Sequence, residues 1–192
     1  LTETILHIDT SLFLFFNHAI ANPAFDAFFV TVTNGRFWIL PGIAAALAFL
    51  YFKRRAALVV LALSLVTVSI SDPVCNRVVK PQFHRLRPCD ERVSMPDGRF
   101  LIGRKTSDSF PSSHAANMFA QAMLLSLLYR RKRAWITAFA FAAVIAFSRI
   151  YVGVHYPLDV LGGAVLGVIV GTGVYGGYYA VMKKWDPAVL RL

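Results

Sequence analysis

Residues 134–159 read AWITAFAFAAVIAFSRIYVGVHYPLD. The first part, 134–152, carries no charged residue until Arg149. A soluble helix of that length would show a polar stripe; a run this apolar, close to the roughly 20 residues a span needs, reads as a membrane-crossing helix. Arg130-Arg131-Lys132-Arg133 stands immediately before it, and Arg149, His155 and Asp159 collect at or just beyond its far end. The stretch therefore has a basic, featureless end and a chemically loaded one.

Four further apolar runs occur, at 36–52, 56–74, 115–129 and 158–182. The run at 115–129 is short unless its polar start, 112–117, is counted, and the last is rich in glycine, which lets helices approach closely in lipid. Residues 11–33 are apolar but broken by Asn17, His18, Asn22, Pro23 and Asp26. Leu12, Phe15, Phe16 and Ala19 share one helical face there, as do Phe25, Phe28 and Phe29. This predicts two short helices within 1–35 that lie at the interface or insert partway, with a sixth, imperfect span as the alternative. Residues 1–10 lack a basic n-region and no small-residue cleavage site follows, so no cleavable signal peptide is expected.

Composition agrees. Hydrophobic residues make up 57% of the 192 and charged residues 16%, against about 25% charged in an average soluble domain. Mean hydropathy is +0.57. The expected fold class is all-α: a polytopic transmembrane helical bundle of five to six spans, a single integral-membrane domain over 1–192. The net charge of +10 would suggest nucleic acid on a soluble chain. Here the cations sit between apolar runs, so the expected partner is the bilayer and not nucleic acid.

The connectors give an orientation. Lys53-Arg54-Arg55, Arg130-Arg131-Lys132-Arg133 and Lys183-Lys184 fall on one side if five spans alternate, nine basic residues with no acid. That marks a cytoplasmic face. The opposite, extracytoplasmic face then carries the long 75–113 loop and the 153–157 connector. The loop holds eight Lys/Arg (Arg77, Lys80, Arg85, Arg87, Arg92, Arg99, Arg104, Lys105) against four acids. A basic outer loop runs against the charge bias and calls for a function, although long loops also translocate regardless of charge. Within it, Met95-Pro96-Asp97-Gly98 is a turn flanked by apolar residues, which predicts a small hairpin. Cys75 and Cys89 lie on the presumed oxidising side, where a disulfide would close the loop.

Three polar clusters lie at span ends facing that side. In Lys80-Pro-Gln-Phe-His-Arg-Leu-Arg87-Pro88, Lys supplies a point charge and Arg a planar fork matched to phosphate oxygens, or else both anchor lipid headgroups. In Phe110-Pro111-Ser112-Ser113-His114, a serine caps the following helix, whose N–H groups form an anion site, with His114 in the first turn. In Ser148-Arg149-Ile-Tyr-Val-Gly-Val-His155-Tyr-Pro-Leu-Asp159, the i,i+4 spacing lets Asp159 hold an imidazole N–H of His155, or Arg149 and Asp159 form a structural ion pair. A zinc set of Cys75, Cys89, His84 and His114 lacks paired metal-ligand spacing.

Taken in order, K-x6-RP, P-S-x-H and S-R-x5-H-x3-D resemble the type 2 phosphatidic acid phosphatase superfamily. The resemblance runs from Lys80 to Asp159 and departs at Ser113, where the common pattern has Gly. It implies a metal-independent, cofactor-free lipid phosphatase. His155 would be the nucleophile, forming a phosphohistidine, with Asp159 holding its other nitrogen. His114 would be the general acid, then the base. Lys80, Arg87, Arg149, Ser112 and the backbone at Ser113 and His114 would hold the phosphoryl oxygens. The expected substrate is a lipid phosphate at the outer face of a prokaryotic inner membrane, with undecaprenyl diphosphate first and phosphatidylglycerophosphate, phosphatidic acid or lipid A 1-phosphate as alternatives. Two readings of other classes compete: a small transporter with polar groups along a path, and a Ser hydrolase using Ser113 or Ser148 with His155 and Asp159.

Overall fold

The computed structural model describes residues 2–185. Two short helices lead the chain, α1 (Thr2–Leu14) and α2 (Pro23–Thr33), joined through a π-helical turn at Phe15–Ala19. Pro23 opens α2 because its missing N–H would be unpaired there anyway, and Asn22 Oδ1 accepts from Phe25 N at 3.0 Å. A 3-10 turn at Gly35–Trp38 leads into α3 (Ile39–Phe52). Trp38 Nε1 donates to Val32 O at 2.9 Å, tying the start of α3 back to α2.

Lys53 breaks the chain between α3 and α4 (Arg54–Pro73), with φ −139°. Pro73 cannot donate to the helical ladder, and the helix loosens there into a π-helical turn at Val74–Val79 that leads to Lys80. The rest of the long basic loop, 83–112, contains no strand among the described residues. The expected hairpin is thus corrected: Met95–Gly98 does turn, with Gly98 N bonded to Met95 O at 3.1 Å, but no ladder follows. The backbone of Arg99 pairs instead with the buried side chain of Asn17, whose Nδ2 donates to Arg99 O and Tyr151 O (2.7 Å each) and whose Oδ1 accepts from Arg99 N (2.7 Å). One amide from the N-terminal segment takes the place of a partner strand.

Helices α5 (Ser113–Tyr129), α6 (Lys132–Tyr151) and α7 (Pro157–Trp185) complete the bundle. α5 is central, packed by α4, α6 and α7. Its seam with α7 is nearly side-chain-free: a Cβ at Gly163, Gly167 or Gly171 would lie 2.3–2.4 Å from the carbonyl oxygens of Ser112, Ala116 or Ala120. Among the described residues four stretches are long and apolar enough to cross a bilayer: Gly35–Phe52, Arg54–Gln82, Lys132–Tyr151 and Pro157–Lys184. α5, with 17 residues, is shorter than these and largely covered by its neighbours. Leu40, Leu47, Leu65, Val165 and Ile169 point their side chains outward, as lipid-facing residues do. The chain is a multi-pass membrane protein.

Candidate active site

The residues singled out from three distant stretches meet at the end of the bundle where α4 gives way to the loop and α5 and α7 begin. Ser112 is the N-cap of α5, its side chain facing Ala115 N at 3.5 Å, and its own N–H donates to Asp159 O at 2.9 Å. That bond couples the start of α5 to the first turn of α7. Between α6 and α7 the chain must reverse within five residues. Gly153 makes this possible at φ +89°, where a side chain would also run into Arg99 O.

His155 follows in that connector, 2% exposed. Arg87 Nη1 donates to His155 Nε2 at 2.9 Å. A guanidinium has only protons to give, so Nε2 carries the lone pair and the ring proton sits on Nδ1. Nδ1 is 3.4 Å from Asp159 Oδ2. Burial holds the His155 imidazole well below the ordinary histidine range, with Arg87 and Arg149 reinforcing it and Asp159 opposing. In this tautomer the Nε2 lone pair is directed at Arg87.

The cations are held by backbone oxygens. Arg87 donates through Nε to Ser107 O (2.8 Å) and through Nη1 to Val154 O (3.0 Å). Lys80 Nζ donates to Asp108 O (3.1 Å) and Pro111 O (2.9 Å). Among the described residues neither forms an ion pair, so their charge remains available to an anion. Arg149, buried in the last turn of α6, donates through Nη1 to Thr33 Oγ1 at 2.5 Å, and its Nε has no partner among the described residues. An unpaired buried guanidinium nitrogen is costly, and it marks where a further acceptor fits.

His114 is exposed and lies on the wall shared by two adjoining cavities. One, of about 340 Å³, is polar and includes Arg149, Lys105 and Thr33. The other, of about 580 Å³, is apolar and includes Trp38, Met118, Phe141 and Ile145. His114 thus stands where a polar head and an apolar tail would join.

Several residues were not legible as participants. Asp159 is engaged by more than His155: Ser109 Oγ donates to Oδ2 (2.5 Å), Tyr156 N to Oδ2 (2.8 Å) and Arg85 Nη1 to Oδ1 (2.7 Å). Arg85 stood in the first cationic cluster with Lys80 and Arg87 without a separate role, and Ser109, Thr33 and Asp9 carried no local signal. The Arg149–Asp159 ion pair is not formed: Arg85 takes the carboxylate instead. Cys75 and Cys89 are free thiols, not a disulfide. Cys75 packs onto Pro111, with Sγ 3.7 Å from its carbonyl, while Cys89 is buried beside Tyr151 and Val152. Among the described residues no three His, Cys, Asp or Glu side chains converge, so the four zinc candidates are dispersed. Ser113 Oγ donates to Asn76 Oδ1 (2.8 Å) and Ser148 Oγ to Ile145 O (2.6 Å), which leaves neither aimed at His155.

Comparison with known proteins gives a consistent answer. The family model described as the PAP2 superfamily matches residues 56–183. The chain is 32% identical over 186 residues to a lipid A 4'-phosphatase of Porphyromonas gingivalis, covering 95% of this chain and 78% of that protein. It is 35% identical over 119 residues to an undecaprenyl-diphosphatase of Sulfolobus acidocaldarius, covering 62% of this chain and 54% of that one. Among solved structures, LpxE of Aquifex aeolicus superposes with a TM-score of 0.68 at 26% identity, covering 87% of this chain and 94% of the other.

Proposed function

The chain belongs to the PAP2 superfamily, and from that premise we propose that it hydrolyses a lipid phosphate through a phosphohistidine on His155, without a metal ion. The observation that carries this reading is the line Arg87–His155–Asp159, which presents a neutral, desolvated imidazole with Nε2 against a cation. The phosphoryl group would take the place of that contact, its oxygens held by Lys80, Arg87, Arg149 and the Ser112–His114 helix start. Nε2 attacks phosphorus, the bond to the leaving oxygen breaks, and His114 supplies that oxygen with a proton. Asp159 stabilises the cationic ring. Water then attacks phosphorus, His114 takes its proton, and the P–N bond breaks to free phosphate and His155.

The polar cavity opening beside an apolar one at His114 supports a substrate with a phosphorylated head and a hydrocarbon tail. A lipid A 4'-phosphate is the favoured substrate, because the similarity to the P. gingivalis enzyme runs along 95% of this chain. Undecaprenyl diphosphate, the expectation from sequence, is the second reading, favoured by the shorter similarity to the S. acidocaldarius enzyme. The site would face the extracytoplasmic side of a prokaryotic inner membrane.

The test is phosphate release in detergent from a panel of lipid monophosphates and diphosphates. Wild type should turn over at least one of them in EDTA and be inhibited by vanadate, a mimic of pentacoordinate phosphorus. His155→Ala should be inactive. Appreciable turnover by His155→Ala, or activity recovered only with a divalent ion, would overturn the scheme.

A further inference from the structure

The N-terminal helix reaches the site through a single carboxylate. Asp9 is 2% exposed on a helix whose other described polar side chains are mostly exposed, and it lies outside the residues 56–183 that define the family match. Its Oδ1 accepts from Leu158 N in the first turn of α7 at 2.8 Å. Its Oδ2 accepts from Arg85 Nη2 at 2.5 Å. The other arm of Arg85, Nη1, donates to Asp159 Oδ1 at 2.7 Å, and the guanidinium lies over the Tyr156 ring, 4.2 Å from its centroid. Phe13, one turn on from Asp9 in α1, packs edge-on against that same ring.

Asp159 therefore has its two oxygens assigned to different tasks. Oδ1 is occupied by Arg85. Oδ2 is the oxygen nearest His155 Nδ1, and it also receives Ser109 and Tyr156 N. An uncompensated guanidinium so close would draw the carboxylate's charge away from the imidazole it has to serve. Asp9 supplies the second anion that Arg85 needs, and it also fixes the backbone at Leu158, next to Asp159 in the chain. We infer that Asp9 and Arg85 are positioning residues: through them α1 sets the rotamer and charge of Asp159 and so the readiness of His155 to attack.

This rests on the reading of His155 as nucleophile, and the experiment separates the two. His155→Ala is assayed first; if it turns over, that reading fails. If it is inactive, Asp9→Asn and Arg85→Gln are compared with wild type. Asp9→Asn keeps the shape and the acceptor for Leu158 N–H, but it presents no anion to Arg85. Each single variant should lose about tenfold or more in kcat with KM changed less than about threefold, because phosphate binding is left to Lys80, Arg87 and Arg149. The double variant should lose no more than the worse single, since the two act as one unit. Asp9→Glu should recover part of the loss. Folded single variants with wild-type kcat, or a loss confined to KM, would overturn the inference while leaving the nucleophile in place. Should Asp9→Asn fail to accumulate, Arg85→Lys decides: one ammonium cannot reproduce both arms of the fork, so kcat should fall with KM preserved, and an unchanged kcat would be the refutation.

Discussion

At the scale of single residues, the site holds one buried histidine, His155, and one exposed one, His114. His155 is sealed by Arg87, Ser109 and Asp159, whereas His114 stands on the cavity wall. The two histidines therefore answer differently to substitution. A phosphate monoester leaves as an alkoxide that needs a proton, while a diphosphate leaves as an acidic phosphate that does not. His114→Ala should cost about 10²–10⁴-fold on a lipid monophosphate, the usual range for a lost general acid, and clearly less on a diphosphate. Equal losses on both, measured as kcat with the same enzyme preparation, would remove the general-acid role. His114, His155, Asp159, Lys80, Arg87 and Arg149 stood out in the sequence because each sits in a short, dense polar cluster next to an apolar run. Asp9, Ser109 and Thr33 did not, because what makes each of them matter is a partner 50 to 150 positions away. No local pattern encodes such a pairing.

At the scale of elements, the α5–α7 seam is what brings the second and third clusters together. The apolar runs at 115–129 and 158–182 announced both helices, and the glycines announced close packing. Which helix they would face was not in the sequence, since seven glycines in the last run offered several faces. The structure uses Gly163, Gly167 and Gly171 against α5 and leaves Gly173, Gly176 and Gly177 in open space. A methyl at Gly163 or Gly171 meets an equally close carbonyl, 2.4 Å away in each case. Forcing such an overlap costs about 1–3 kcal/mol. Gly163 lies against Ser112 O, whose residue holds Asp159 by its N–H, while Gly171 lies two turns further on against Ala120. Gly163→Ala and Gly171→Ala should thus lower thermal stability in detergent by similar amounts. Only Gly163→Ala should also lose about tenfold or more in kcat. Comparable activity in the two folded variants would mean that the seam supports the bundle without setting the site. The corrected hairpin belongs to this scale too: the Met95–Gly98 turn with apolar residues on either side predicted two strands, but the Arg99 backbone is paired with Asn17 instead.

At the scale of the whole molecule, charge is sorted by end. The basic connectors Lys53–Arg55 and Arg130–Arg133 come together, for Lys53 and Arg131 line one cavity of about 270 Å³. α5 runs from the candidate-site end at Ser112 to that basic end at Arg130, where the chain turns in a left-handed conformation at φ 51°. Its 17 residues rise about 26 Å, close to the roughly 30 Å of a bilayer's hydrocarbon core. The two ends therefore lie near opposite membrane surfaces. Transporters place ionisable groups along the depth of the bundle; here Lys80, Arg87, Arg149, His155 and Asp159 gather at one end. The basic end carries no counter-charge from acids in its connectors and so should remain cytoplasmic. On that rule the loop is expected outside despite its eight cations, of which Arg85, Arg92 and Arg99 are paired with acids and Lys80 and Arg87 donate to backbone carbonyls. Both native thiols are buried, so the unmodified protein serves as the blank for cysteine labelling. Asp97→Cys, at the exposed turn of the loop, should react with an impermeant maleimide in intact spheroplasts. Arg131→Cys should react only after lysis. Labelling in the opposite order would put the site on the cytoplasmic face, and with it the pool of lipid phosphate that the enzyme meets.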